Sequence, residues 1–149
     1  QHFLDIGGSR GPQQFHRELG EILYEGCGVG RTKESLTTAL SEVRRLQREF
    51  RQDLSVPGGS EHVNQTLEKA GRVQDFLELA ELMCIDALDR EESAGAHFRF
   101  EHQDDGEAKR NDDEWAFASA WESHADGTFT RHMEPLEFTA VPLATRSYS

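Results

Sequence analysis

Apolar residues recur three and four apart over three stretches of the chain, the spacing of one helical face. The first stretch covers about residues 13–27, with Phe15, Leu19, Ile22, Leu23 and Cys27 on one side. The second covers about 32–54. Leu36, Leu40, Val43, Leu46, Phe50 and Leu54 form its stripe, and Arg44, Arg45, Arg48 and Arg51 fall mostly off it. The third, 61–92, carries Val63, Leu67, Ala70, Phe76, Leu77, Ala80, Met83, Cys84, Ala87 and Leu88. From Phe76 onward its apolar band widens to include Leu79, Leu82 and Ile85. A helix apolar over so much of its girth is covered on several sides. The pattern therefore predicts a central helix of ~46 Å, with Leu79 and Met83 buried at its middle.

Two glycine-rich breaks separate these stretches. In Gly26-Cys27-Gly28-Val29-Gly30-Arg31 a helix precedes the glycines, whereas a dinucleotide loop needs a strand before it and a helix starting within it. The string is expected to be a helix–helix turn. Val56-Pro57-Gly58-Gly59-Ser60 is the second turn, with Ser60 as the expected N-cap of the third helix. Helices joined by short turns pack up and down. The fold class expected is mainly α: an antiparallel up-down three-helix bundle, spectrin-repeat-like, with a short β or extended C-terminal tail. Residues 1–12, Gly-rich and ending in proline, read as a linker from a preceding domain, 13–98 as the bundle and 99–149 as the tail packed on it.

Within the tail the period changes from helix to alternation. Trp115, Phe117 and Trp121 stand opposite Ala116, Ala118 and Ala120, as on a strand. Phe98 to Glu101, Phe129 to Arg131 and Leu136 to Thr139 are further short strands, and strands are expected only beyond residue 97. Residues 104–114 are charged and loop-like, without the D-x-D-x-D-G order of a calcium loop.

Composition narrows the function classes. The 149 residues carry a net charge of −12. Residues 1–56 are balanced, so the acidic excess lies in the remainder. An acidic domain repels phosphate backbones, so nucleic acid is not an expected partner. No apolar run reaches the ~20 residues needed to cross a bilayer, and no signal peptide is visible at Gln1-His2-Phe3. The chain is expected to be a piece of something longer. Cys27 and Cys84 are far apart in sequence and form no C-x-x-C pair, so reduced, buried thiols are expected.

Little else resembles a reaction centre. His16, His62, His102, His124 and His132 are scattered singly without ligand spacing, and no G-x-S-x-G elbow exists. His97 and Arg99 stand apart, because Ser93 and Gly95 just before them mark a sharp turn beyond the long helix. Two roles fit. They bond helix-end carbonyls and neighbouring carboxylates, holding the tail on the bundle, or they face another domain.

Glu92-Ser93-Ala94-Gly95-Ala96-His97-Phe98-Arg99, preceded by Arg90-Glu91, resembles the R-x-E-S-R-G-A-H-x-R signature of the succinate dehydrogenase/fumarate reductase flavoprotein subunits and their L-aspartate oxidase relatives. One position departs, with Ala94 where that family usually has arginine, which removes a donor. The resemblance continues through His16 to Gly20, Gly28 to Arg31 with Leu36, Leu67 to Leu79, Asp112 to Trp115, Glu134 to Phe138 and Arg146 to Tyr148, from about residue 13 to the end. It implies the family's C-terminal helical domain, with a structural and docking role. FAD would belong to the intact subunit, not to this stretch, and no catalytic residue or metal ligand is expected here. The implied partners are the subunit's own FAD-binding domain and an iron–sulfur subunit. The implied location is cytoplasmic, at the inner face of the cell membrane, with membrane contact only through the complex. Ser93, Gly95, His97 and Arg99 are the candidate interface with the flavin domain. The alternative is a free-standing three-helix interaction module, which needs neither the E-S-x-G-A-H-x-R turn nor the aromatic tail.

Overall fold

The computed structural model describes residues 2–144. The protein is mainly helical, with five helices and three small sheets among the described residues. A short helix α1 (His2–Asp5) precedes α2 (Pro12–Gly26), the two-residue strand β1 (Gly30–Arg31) and α3 (Lys33–Asp53). Next come α4 (Gln65–Asp89), β2 (Phe98–Arg99), the small hairpin β3 (Gln103–Asp104) and β4 (Glu107–Ala108), and α5 (Asp112–Trp115). A longer antiparallel hairpin closes the order, β5 (Phe117–Ser123) with β6 (Phe129–Pro135).

The ends of the long helices follow local chemistry. Pro12 opens α2, where its missing N–H costs nothing. Thr32 and Ser35 cap α3 reciprocally, each hydroxyl accepting the other's backbone N–H at 3.0 Å. The Ser35 hydroxyl also donates to the Gly26 carbonyl at 3.0 Å, joining the end of α2 to the start of α3. The helices meet so closely there that a Cβ on Gly26 would lie 2.6 Å from that of Ala39.

α4 starts later than expected. Asn64, not Ser60, is its N-cap, and its side-chain oxygen accepts the N–H groups of Thr66 and Leu67 at 3.1 Å. The Asn64 amide also donates to the carbonyls of Pro57 and Gly59, so this one side chain orders both the loop and the helix start. At 25 residues the helix is ~37 Å long rather than ~46 Å.

α2, α3 and α4 share one core. Phe15 and Leu19 of α2 meet Val43, Leu46 and Phe50 of α3, and Ala70, Val73, Leu77 and Ala80 of α4. A second buried cluster joins Cys27, Leu36, Ala39, Cys84 and Ala87 near the other end of α4. The buried face of α4 is thus a single line of 70, 73, 77, 80, 84 and 87, and mostly small. Leu79 is 55% and Met83 45% exposed, contrary to the expectation that both are buried. α4 is covered on one side, and its second apolar line, Phe76, Leu79 and Met83, faces outward beside His16 and Leu23 of α2.

The first twelve residues lie against the helices. Phe3, Leu4 and Ile6 pack on the core, and Phe3 meets Phe50 edge to face. The Arg10 guanidinium bonds Glu18, Glu49 and Asp53, and the Gly8 N–H donates to Leu54.

The strands also depart from expectation. β1 lies well before residue 97, Leu136 to Thr139 forms no strand, and the charged loop after residue 102 contains β3, β4 and α5. β5 does alternate, with Phe117, Ser119 and Trp121 half-buried and Ala118 and Ala120 exposed. Trp115 belongs instead to α5. The Arg146-Ser147-Tyr148 match lies outside the described residues.

Candidate functional site

Beyond α4 the chain turns twice within ten residues. Arg90 is the C-cap, and its extended backbone stops the helix. Ala94 and His97 exchange backbone hydrogen bonds across a tight reversal in which Gly95 has φ +58. Nothing lies within 4 Å of a Cβ built on Gly95, so a side chain there meets only backbone strain. Gly95→Ala is therefore expected to cost ~1 kcal/mol, read as a small drop in the urea midpoint with an unchanged slope.

The reversal sends β2 alongside β1 in a parallel pair, Gly30 opposite Phe98 and Arg31 opposite Arg99. This brings the Gly28–Arg31 turn and the Glu92–Arg99 turn together. Arg31 donates through Nε to the Gly28 carbonyl at 2.7 Å, and its other nitrogens reach His97 Nδ1 and the Ala96 carbonyl, each at 3.4 Å. His97 Nε2 lies 3.3 Å from the Arg90 carbonyl. With Arg31 donating to Nδ1, the ring is the Nε2–H tautomer.

Burial holds the His97 imidazole below its ordinary pKa, and the charges of Arg31, Arg90 and Arg99 act in the same direction. The ring is neutral at pH 7. In the unfolded chain it binds its proton more readily, so its contribution to stability is full above the ordinary histidine value. That contribution is lost as the pH falls from there through the lowered folded value. The His97 ring-proton NMR titration is expected to have its midpoint below that of an unfolded peptide. His97→Gln is expected to flatten the stability–pH curve in that window.

Arg99 is 3% exposed. Its Nη1 donates to the carbonyls of Ala87, Leu88 and Arg90 at 2.9, 3.3 and 3.2 Å, the unpaired end of α4. A cation at a helix C-terminus also meets the negative end of the macrodipole. Its Nε donates to Glu101 at 3.2 Å. Glu101 in turn accepts the Lys33 N–H at the first turn of α3 at 2.5 Å. Buried Ser93 links the turn's two sides, donating to the Arg99 carbonyl and accepting the Arg99 N–H. Glu92, 2% exposed, pairs with Arg90 and accepts the Asn111 N–H at 3.2 Å.

A cleft of about 590 Å³ opens at this joint, walled by Cys27, Arg31, Met83, Arg90, His97 and Trp115 among others. The β5–β6 hairpin is fastened beside it. Trp121 Nε1 donates to Asp86 at 2.9 Å, Arg131 pairs with Asp89, and the guanidiniums of Arg90 and Arg131 lie over the Trp115 and Phe117 rings. All four expected site residues thus fall in one place. Arg31, Arg90 and Glu92 join them there, although nothing in the residue pattern singled them out beyond their standing in the same two motifs.

The chemistry of the joint is cohesive. The Ser93 hydroxyl and Arg99 Nε and Nη1 are engaged within the chain, and both His97 nitrogens have partners. The residues also do not fit a flavin pyrophosphate. The glycine string closes α2 instead of opening a helix, and the first N–H groups of α3 are taken by Glu101 and Thr32. Among the described residues no set of three His, Cys, Asp or Glu side chains is placed to hold a metal ion. Among them, too, no helix is long and apolar enough to cross a membrane.

Residues 16–148 match the family model described as "Fumarate reductase flavoprotein C-term". The chain belongs to this family. It is 30% identical to the fumarate reductase flavoprotein subunit of Escherichia coli K12 over 88% of its own length and 21% of that protein's. Against the succinate dehydrogenase flavoprotein subunit of Bacillus subtilis it is 25% identical over 90% of its own length and 20% of the relative's. The chain thus spans about a fifth of the curated relatives it matches. A solved E. coli quinol fumarate reductase superposes with a TM-score of 0.82 at 27% identity, over 96% of this chain and 24% of that one. Adenylylsulfate reductase from Archaeoglobus fulgidus, at 17% identity and a TM-score of 0.73 over 90% of this chain and 20% of that one, shares the fold.

Proposed function

We propose that this chain is the C-terminal structural and docking part of a succinate dehydrogenase/fumarate reductase flavoprotein subunit. Residues 13–98 act as an up-down three-helix bundle, 1–12 lead in from the flavin-bearing domain, and 99–149 are the tail held on the bundle. In the intact subunit, FAD bound by the preceding domain supplies the redox chemistry of succinate–fumarate interconversion. Electrons pass to an iron–sulfur subunit in a complex at the inner face of the cell membrane. Ser93, Gly95, His97 and Arg99 shape the surface turned toward the flavin domain.

The observation that carries this assignment is the parallel β1–β2 joint, where the family's two turn motifs meet and consume their own donors. A set of residues so engaged buttresses a neighbour instead of transferring protons. The test is His97→Ala in the intact subunit. Flavin retention or assembly is expected to fall, with kcat per bound flavin within about threefold of the parent. A loss of ~10²-fold at full flavin occupancy, the size of a missing acid–base group, would make His97 part of the reaction and overturn the assignment. Mixed with free FAD, the 149-residue chain is expected to leave gel filtration colourless.

A further inference from the structure

The two cysteines, distant in sequence, meet in the fold. Cys27 is the residue that closes α2, and Cys84 lies on the buried line of α4. Both are free, and both belong to the small apolar cluster with Leu36, Ala39 and Ala87. Within that cluster each thiol is the neighbour that most strongly perturbs the other. Their surroundings differ. Cys84 is sealed at 0% exposure, while Cys27 keeps 7% and forms part of the wall of the cleft at the joint. Arg31, in the same wall, is the nearby cation. The neighbouring Cys84 thiol lowers the Cys27 thiol below its ordinary pKa; burial opposes this and the charge of Arg31 assists it. Cys84 is raised in turn by Cys27 and by burial. Cys27 borders the cleft and is disposed to be thiolate, and Cys84 is sealed in the same cluster, the arrangement of an attacking and a resolving thiol.

We propose that Cys27 and Cys84 form a peroxide-reactive thiol pair that closes to an intrachain disulfide between the end of α2 and the C-terminal part of the buried face of α4. The oxidant is hydrogen peroxide or a small hydroperoxide entering through the cleft. The Cys27 thiolate attacks one peroxide oxygen. A sulfur–oxygen bond forms, the oxygen–oxygen bond breaks, and the departing hydroxide takes up the proton released by Cys27 to become water. The Cys84 sulfur then attacks the sulfenic sulfur. The disulfide bond forms, the sulfur–oxygen bond breaks, and the Cys84 proton leaves with the hydroxide as a second water. Two thiols are oxidised by two electrons while one peroxide is reduced. The bridge would clamp the Gly28–Arg31 turn to α4 directly beneath the joint.

The test treats the purified chain with hydrogen peroxide at pH 7 in the presence of glutathione. Remaining thiols are then blocked with iodoacetamide, and the peptides are mapped by mass. The expected result is loss of both alkylatable cysteines together, with a Cys27–Cys84 linked peptide that dithiothreitol reverses. In Cys84→Ser, oxidation is expected to stop at a Cys27 sulfenic acid trapped by dimedone. Because that variant alters a buried position, the peptide map of the unaltered chain decides alone. Both cysteines fully alkylated after the glutathione is consumed would overturn the proposal. So would bridges formed only between chains, or Cys27 carried to sulfinic acid without a bridge.

Discussion

Arg99→Ala is expected to destabilise the folded chain by ~3 kcal/mol or more. The guanidinium is buried, and its removal leaves the Ala87 and Leu88 carbonyls at the end of α4 without the side-chain donor that served them and the Arg90 carbonyl with His97 alone. It also releases Glu101 from one of its two anchors, loosening the link to the first turn of α3. Arg99→Lys keeps the charge but offers a single nitrogen, which cannot serve the carbonyls and Glu101 together, so it should recover only part of the loss. Urea unfolding of the three proteins gives the comparison. A loss under ~1 kcal/mol for the alanine variant, the net worth of one ordinary hydrogen bond, would mean that Arg99 is not committed inside the chain.

Leu77→Ala should cost ~2–5 kcal/mol, the usual range for emptying a buried leucine site. Leu77 is 2% exposed and packs among Ala70, Val73 and Ala80 beneath α3. Leu79→Ala, two residues on, should change stability by less than ~0.5 kcal/mol in the same assay. Thermal melts of the pair give the sign directly. Equal losses would place Leu79 inside the core and refute the orientation of α4.

That pair of leucines also shows how far the sequence could be read. α2 and α3 were legible because each has one apolar line and a glycine or an extended residue at its end. α4 has two lines, and the period alone treats both as core. One of them, 70, 73, 77, 80, 84 and 87, is small enough to let the helices approach closely. The other is larger and more apolar, so hydrophobicity pointed to it first. Its start was misplaced because Ser60 and Asn64 are both good caps, and the decision fell to Asn64, whose amide also orders the preceding loop.

Strands of two residues have no period to detect, which is why β1 was hidden. Ser93, Gly95, His97 and Arg99 were visible as a group, since a glycine with φ +58 and its polar neighbours mark a turn. Their partners were not. Arg31 is 66 residues from His97, and nothing in local chemistry announces that meeting.

The β1–β2 contact bears on the order in which the molecule assembles. Helical turns and the α2–α3 hairpin close short loops, whereas pairing Gly30 with Phe98 must bring together segments separated by two whole helices. Long loop closure is costly until the intervening structure has formed. The joint should therefore be absent from the folding transition state and close last. Interactions of that kind leave the folding rate nearly untouched and govern the rate of unfolding. Ser93, which ties the joint's two sides through its hydroxyl, is the position at which that kinetic asymmetry should be largest: Ser93→Ala should steepen escape from the native state while the chain returns to it as fast as before.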